Sequence, residues 1–302
     1  MNVSRALMGI AIGLAVLAAS GAVLASSFEP WSPAVRVESL PGTHPDFNGA
    51  ALDGCPFISR DGKSFFMAST RPGGLGGIDI WVSKREQAGD PWGAPVNVGA
   101  PVNSPENDFC PTLDRDGHTF YFVSNRPGGC GGDDIYTTRL RTKSWDAVRN
   151  LGCTANSAVN EASPFPLPEA GRGPVLYFSS TRSGNSDIYV TGEGIAGYTQ
   201  PEPVVELNTA AQDGHPNLRR DGLEIFFFST RPGTLGAQDL YSATRESTSD
   251  PWSTPVNLGP DVNSTAADTR PSLSWDGTEL YFGSTRTGGG AEGDSDHYVT
   301  TR

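Results

Sequence analysis

The chain has 302 residues, including 37 glycines and 24 prolines, and only 19% of its residues are charged. This composition excludes a helical bundle and favours many short strands joined by tight turns. The formal net charge is −12 and the basic residues are scattered, so we expect no nucleic-acid partner and no surface for anionic lipid.

Residues 1–25 have the features of a secretory signal. Arg5 precedes a run of apolar and small residues, and Val23-Leu24-Ala25 supplies a small-residue cleavage site. An uncleaved anchor is the alternative, because the run is just long enough to span a bilayer. We predict cleavage, a periplasmic or secreted protein with no membrane span in the mature chain, and a single domain over residues 26–302. The four cysteines fit an oxidising compartment.

The rest of the chain consists of five copies of one unit. The tripeptide Ser-x-Arg recurs with successive arginines 55, 56, 49 and 55 residues apart. A period of this size is typical of a propeller or a solenoid. The five arginines are Arg71, Arg126, Arg182, Arg231 and Arg286.

Each unit has the same parts in the same order. An acidic residue stands three positions before a proline, at Asp53, Asp108, Glu161, Asp213 and Asp268. A short strand then leads to an Asp-Gly turn of the kind that a tight hairpin requires. The third unit differs, and residues 168–173 predict a longer loop there. An aromatic strand, a glycine-rich loop, a third strand opened by aspartate and a proline-containing edge strand complete the unit.

The strand arithmetic closes the ring. Only four edge strands follow a third strand, because the chain ends at Arg302, but Trp31–Val37 matches the missing one. We therefore predict an all-β fold, a five-bladed β-propeller of four-stranded antiparallel blades whose last blade is closed by the N-terminal strand. Such closure removes exposed sheet edges.

The repeat resembles that of the TolB-type (WD-repeat-like) periplasmic β-propellers. The fullest copy is SRDGKSFFMASTRPGGLGGIDIWVSKR, and the resemblance covers the chain after the signal. It implies β-propeller modules that bind proteins or sugars on one face. No segment resembles the helical N-terminal domain of TolB or a hydrolase domain, so the resemblance carries over no activity.

Strand order assigns the loops to two faces. One face of the propeller, here named the top face, holds the start of the first strand of each blade. The loop between the second and third strands and the end of the fourth strand lie on the same face. The Asp-Gly turns lie on the opposite bottom face. The five repeated acids would ring the channel at the top, where they could hold a cation or act as acid and base. A residue type that recurs in every blade usually meets a structural need of every blade, such as accepting backbone N–H groups or pairing with the Ser-x-Arg arginine. We therefore assign these acids a structural role.

Function should be sought where the repeats disagree. The position before the proline holds Cys55, Cys110, Ser163, His215 and Arg270, which we expect to crowd the channel mouth. The spacing of the cysteines and the histidine has no zinc signature, so we expect a disulfide or plain channel lining and no metal. Asp114 and Arg219 are polar inner-strand positions without counterparts in the other blades, and they either line the channel or face solvent.

Two top loops carry alternating acids among glycines. Asp133 lies in the loop of the second unit, and Glu292 and Asp294 lie in that of the fifth. Calcium binding is an alternative, but neither loop completes a calcium-binding spacing, so we expect no cofactor.

The positions of the cysteines suggest two pairings. Cys130 and Cys153 both fall on the top face of one blade, which predicts a disulfide between them. Cys55 and Cys110 occupy equivalent positions in adjacent blades and can pair only if the channel is narrow.

Two function classes remain. No nucleophile elbow or phosphate loop is present, which favours a monomeric, non-catalytic envelope or secreted scaffold that presents its top face and channel mouth to a protein or glycan partner. The alternative is a carbohydrate-active, glycosidase-like enzyme, which needs an unrepeated carboxylate pair in the channel. Asp114 is the first candidate for such a pair, followed by Asp133, Glu292 and Asp294.

Overall fold

A computed structural model describes residues 28–142, 144–195, 197–287 and 295–302. The predicted signal, Glu292 and Asp294 lie outside these residues. In the described ranges, no helix is long and apolar enough to cross a bilayer. The strands form five antiparallel sheets, and each sheet is one blade of a five-bladed propeller, as predicted.

Each blade runs from an inner strand at the channel to an outer edge strand. Blade 1 consists of Asp53–Ile58, Ser64–Ser69, Asp79–Lys84 and Val96–Asn97. Blade 2 consists of Asp108–Leu113, Thr119–Ser124, Asp134–Arg139 and Arg149–Asn150. Blade 3 consists of Glu161–Glu169, Gly173–Ser180, Asp187–Gly194, Gly197–Tyr198 and Glu202–Pro203. Blade 4 consists of Asp213–Leu218, Glu224–Ser229, Asp239–Thr244 and Val256–Asn257.

Blade 5 joins the two parts of the chain that lie farthest apart in sequence. Its strands are Asp268–Leu273, Glu279–Ser284, Asp296–Thr301 and, at the outer edge, Val35–Arg36. Val35 pairs with Val299, and the Arg36 guanidinium lies 2.7 Å from the Asp296 carboxylate. A 3-10 turn, Val37–Ser39, then leads towards blade 1. The predicted closure by the N-terminal strand is confirmed.

The edge strands are shorter than predicted. The pattern from Trp92 to Val98 predicts one strand, but only Val96–Asn97 pairs with the third strand of blade 1. Trp92 is instead buried, with its ring centroid 5.4 Å from that of Phe65. The first residues of the predicted strand therefore cover the core and do not extend the sheet.

The predicted longer loop of blade 3 is wrong. The first two strands of blade 3, Glu161–Glu169 and Gly173–Ser180, are longer than the equivalent strands of the other blades. They stay paired as far as Glu169 and Gly173. Glu169 is buried, accepts a hydrogen bond from the Tyr177 hydroxyl at 2.8 Å and pairs with Arg245 of blade 4. This ion pair stabilises the extra length, and the extended hairpin forms a wall on the bottom face.

The core lies between neighbouring blades, because the second strands are covered on both faces. Phe65, Phe120 and Ile225 have no exposed surface, and Leu176 and Leu280 are equally well enclosed. Continuous apolar runs are typical of strands buried on both sides. The blades thus form a rigid frame that fixes the inner strands around the channel.

Candidate functional site

The repeated acids are bound within the scaffold at the top face. Each lies at the start of an inner strand with no exposed surface and accepts a hydrogen bond from the Ser-x-Arg arginine of its own blade. The arginine–acid distances are 2.6 Å for Asp53, 2.6 Å for Asp108, 3.1 Å for Glu161, 2.7 Å for Asp213 and 2.6 Å for Asp268. Each acid also accepts a backbone N–H from four residues upstream, at 2.6 to 2.8 Å.

Both carboxylate oxygens of each repeated acid therefore accept hydrogen bonds from the scaffold. The arginines in turn stack on the aromatic residue of the third strand, as Arg286 does on Tyr298 at 4.6 Å. A carboxylate that is buried and paired in this way is unsuited to proton transfer or to binding an added cation.

The position before the proline has an unusual backbone in all five blades. Cys55, Cys110, Ser163, His215 and Arg270 have φ angles of 47, 47, 52, 55 and 57°, in the left-handed region that favours glycine. Each lies at a β-bulge, where the pairing register of the inner strand shifts. A bulge re-aims a side chain, and here it directs all five side chains into the channel.

These five side chains narrow the channel to a cavity of about 30 Å³. Cys55 and Cys110 form a disulfide with Cα atoms 4.7 Å apart. The Ser163 hydroxyl and the His215 Nδ1 atom are hydrogen-bonded to each other. The sulfur atoms and a ring nitrogen of His215 lie within 4.8 Å of one another, but the disulfide removes the thiolates that a metal ion would need.

The second predicted disulfide is also present. Cys130 in the top loop of blade 2 is bonded to Cys153, with Cα atoms 5.5 Å apart. All four cysteines are therefore paired, which fits an extracellular or periplasmic location.

A larger cavity opens at the bottom face, at the other end of the channel. Its volume is about 460 Å³. The floor is apolar and consists of inner-strand side chains from all five blades, namely Phe57, Leu113, Phe165, Leu218 and Leu273. A cavity of this size with an apolar floor and few polar groups is typical of a small-ligand site.

An aromatic ring and three arginines surround this cavity. Trp275 is half-buried, and the guanidinium groups of Arg60 and Arg115 lie 4.7 and 5.2 Å from its ring centroid. Arg220 lies on the same rim. Within the described ranges, none of the three arginines forms an ion pair. The same cavity is also lined by Asp61, Asp114 and Asp116, so its rim presents both guanidinium groups and carboxyl groups.

Asp114 is the unrepeated carboxylate that reaches this cavity. Ser59 and Ser274, its counterparts in blades 1 and 5, donate to their Asp-Gly turns at 2.6 Å, whereas Asp114 accepts the Arg115 N–H at 2.5 Å. Burial raises the pKa of Asp114, the Arg115 N–H opposes this shift, and the charge of Asp116 adds to it. Asp114 thus has the environment of a carboxyl group that holds its proton more tightly than usual.

A second cavity of about 220 Å³ extends the site between blades 2 and 3. It shares Asp114 with the larger cavity and also contains Glu193 and the hydroxyl pair of Tyr121 and Tyr198, which are 3.4 Å apart. Together the two cavities form a groove from the channel to the rim, with Asp114 at the junction.

Two other predicted site residues, Arg219 and Asp133, lie outside this groove. Arg219 lies on the bottom face, where its guanidinium pairs with Asp221 at 2.9 Å and with Glu224 at 3.2 Å. Asp133 is half-buried in the top loop of blade 2, and burial together with the neighbouring Asp134 charge raises its pKa. Glu292 and Asp294 lie outside the described residues, so the structure does not place the calcium alternative of blade 5.

Sequence reasoning missed the bottom rim. The signal was present, because the residue before each Asp-Gly turn is Arg60, Arg115, Arg220 or Trp275. That these four residues surround one cavity depends on the closed ring, which brings the turns of four blades together.

Comparisons with solved structures agree on the fold. The α-L-arabinofuranosidase from Lactobacillus brevis is 14% identical over 86% of this chain and 93% of its own, with a TM-score of 0.56. A GH62 hydrolase in complex with xylotriose is 11% identical over 90% and 97% of the two chains, with a TM-score of 0.52. TolB from Acinetobacter baumannii is 16% identical over 83% and 55%, with a TM-score of 0.51.

At such low identity these likenesses show the fold alone. No family model matches the chain, and the curated proteins contain no match. The TolB likeness supports the resemblance of the repeat at the level of architecture, which the glycoside hydrolases share.

Proposed function

We propose that the protein binds a glycan in the bottom-face cavity. The observation that carries this proposal is the half-buried Trp275 ring beside an apolar floor, with Asp114 and three arginines around it. An aromatic face packs against the C–H face of a sugar, while charged groups at the rim bond its hydroxyls.

The charges on the rim favour an acidic glycan. Arg60, Arg115 and Arg220 have no ion pair in the described part of the chain, so their guanidinium groups can accept a carboxylate of the ligand. Asp61, Asp114 and Asp116 line the same cavity, so recognition of an anionic ligand by this protein of net charge −12 would depend on direct contact with the three guanidinium groups.

The comparisons support a carbohydrate ligand better than a protein scaffold. Two of the similar structures are an arabinofuranosidase and a hydrolase solved with xylotriose, and both are propellers with the same number of blades. The predicted signal and the two disulfides support a secreted or periplasmic glycan-binding protein.

Calorimetric titration tests the proposal. We expect a xylo-oligosaccharide that carries glucuronic acid to bind more tightly than neutral xylotriose. Trp275→Ala should weaken binding roughly tenfold or more, as expected for an aromatic anchor. Leu235→Ala, at an exposed position in a top loop, is the control. Normal binding by Trp275→Ala, or loss of binding in the control, would contradict the proposal.

Glycoside hydrolysis is a second candidate, favoured by Asp114. Hydrolysis needs one carboxyl group that donates a proton and one that stays ionised. Asp114 has the raised pKa of the first, and the exposed Glu193 in the same groove could supply the second. The two residues come from different blades and neither is repeated.

Activity assays separate binding from hydrolysis. If the groove is catalytic, Asp114→Asn and Glu193→Gln should each abolish release of reducing sugar while the oligosaccharide still binds. If the wild-type protein binds the oligosaccharide and releases no sugar, the catalytic candidate is wrong and the binding proposal stands.

A further inference from the structure

The narrow top end of the channel contains a cation without a counter-charge. Arg270 lies in the wall of the 30 Å³ cavity, and its Nε atom is shielded from solvent without a hydrogen-bond partner. In the described part of the chain, its guanidinium forms no ion pair. Arginine does not lose its proton in proteins, so the half-buried Arg270 places a positive charge in the channel wall.

The neighbouring inner strand leaves room for this guanidinium. A Cβ atom at Gly54 of blade 1 would lie 3.0 Å from Nη1 of Arg270. The equivalent residues of blades 2, 3 and 5 are Phe109, Ala162 and Thr269, which all have a side chain. The space at Gly54 therefore fits the placement of Arg270.

The groups that face Arg270 in the channel are neutral. Burial, and secondarily the charge of Arg270, holds the pKa of His215 well below its usual range, so the imidazole is uncharged. The Ser163 hydroxyl is uncharged, and Cys55 and Cys110 form a disulfide, which carries no charge. The buried His297, whose pKa is lowered to about 4 mainly by burial, feels the charge of Arg270 and is also neutral.

Arg270 is half-buried, and its partly desolvated charge has no partner among the described residues, so an anion bound beside it would stabilise the fold. We propose that the top of the channel binds a small monovalent anion held by the guanidinium of Arg270. The Ser163 hydroxyl is a second donor when His215 carries its proton on Nδ1 and donates to Ser163. The site would accept chloride or the carboxylate of a larger ligand. It is separate from the glycan cavity, and the proposal does not depend on that function.

The size of the cavity restricts the ligand. A volume of about 30 Å³ exceeds the roughly 10–15 Å³ that one water needs, which leaves room for a halide or for a carboxylate head and excludes a sugar ring. Phe57 and Phe165 line both this cavity and the larger one below it. A carboxylate attached to a bound glycan would therefore have to approach between these rings.

Thermal unfolding in different sodium salts tests the proposal. Bromide and formate should raise the melting temperature saturably at constant ionic strength, whereas methanesulfonate, which is too large for the cavity, should not. Stabilisation by bromide alone would assign a halide site, and stabilisation by formate alone would assign a carboxylate site. The anion-dependent shift should disappear in Arg270→Met and persist in the control Arg149→Met, at an exposed arginine.

Diffraction from wild-type crystals grown in bromide decides the matter if Arg270→Met does not fold. The proposal expects an anomalous peak within hydrogen-bond distance of the Arg270 guanidinium when bromide stabilises the protein. The absence of a saturable shift with any small anion, together with a channel that contains only water, would overturn it.

Discussion

The two ends of the channel are built differently. The cavity at the top end has a volume of about 30 Å³. It is lined by five non-glycine residues in left-handed conformations, two of which form the Cys55–Cys110 disulfide. The bottom end opens into about 460 Å³, with an apolar floor and an arginine-rich rim. The buried arginine–acid pairs also lie at the top. We infer that the top end holds the blades together and that the bottom end is free to contact a ligand.

This difference separates stability from ligand binding. Substitutions at the top should lower the free energy of unfolding, and substitutions on the bottom rim should change affinity with little effect on stability. Four predictions, given from the largest expected effect to the smallest, test this division.

Arg231→Met should cause the largest loss of stability. It leaves the Asp213 carboxylate buried without its arginine, and breaking such a pair costs about 3–5 kcal/mol. Urea denaturation measures the loss. The matched control is Arg141→Met, which breaks a solvent-exposed pair with Asp146 and should leave the free energy of unfolding nearly unchanged. Equal losses in the two variants would show that the top pairs do not stabilise the ring.

Replacing both cysteines of one disulfide by alanine should lower the free energy of unfolding slightly less than Arg231→Met does. The chain-entropy model gives about 3 kcal/mol for Cys130–Cys153, which are separated by 23 residues, and about 4 kcal/mol for Cys55–Cys110, which are separated by 55. Urea denaturation of the two double variants tests this order. A loss below about 1 kcal/mol in both would contradict the role given to the top end.

Arg220→Met should change affinity without changing stability. Removing one rim guanidinium should weaken binding of the acidic oligosaccharide about threefold to tenfold at low salt, while neutral xylotriose is unaffected. Titrations at two salt concentrations measure the effect. If the two ligands lose affinity equally, the rim does not recognise charge.

Asp114→Asn should slightly stabilise the protein at neutral pH. The pKa of Asp114 is higher in the folded state than in the unfolded state. Ionisation of Asp114 therefore lowers the free energy of unfolding as the pH rises from the unfolded-state pKa through the folded-state pKa. The asparagine variant should therefore be slightly more stable than wild type at pH 7 and equal to it near pH 3. Melting curves at the two pH values measure the difference, and destabilisation at pH 7 would contradict it.

The repeats made the fold predictable from the sequence. Five acids, five Ser-x-Arg arginines and one displaced edge strand at Val35–Arg36 determine the number of blades and the closure. The two disulfides followed from the same repeats: Cys55 and Cys110 are equivalent positions of adjacent blades, and Cys130 and Cys153 both lie on the top face of one blade.

The site was less predictable, for physical reasons. The left-handed backbone at Ser163 and His215 depends on a bulge in strand register that no local sequence pattern marks. The bottom cavity depends on how far apart the inner strands end, and on the extended hairpin that Glu169 and Arg245 hold in place. The sequence places Trp275 beside its Asp-Gly turn. Its contact with Arg60 and Arg115 of other blades arises only when the ring of blades closes.

Hydrogen exchange in the presence of the glucuronate-bearing xylo-oligosaccharide tests the central claim most directly. Ligand in the bottom cavity should protect amides in residues 57–61, 113–117 and 273–276, which line it. The top loops at residues 70–78 and 125–133 should exchange as they do without ligand. Protection confined to the top loops, with the bottom segments unchanged, would contradict the assignment of the binding site to the bottom face.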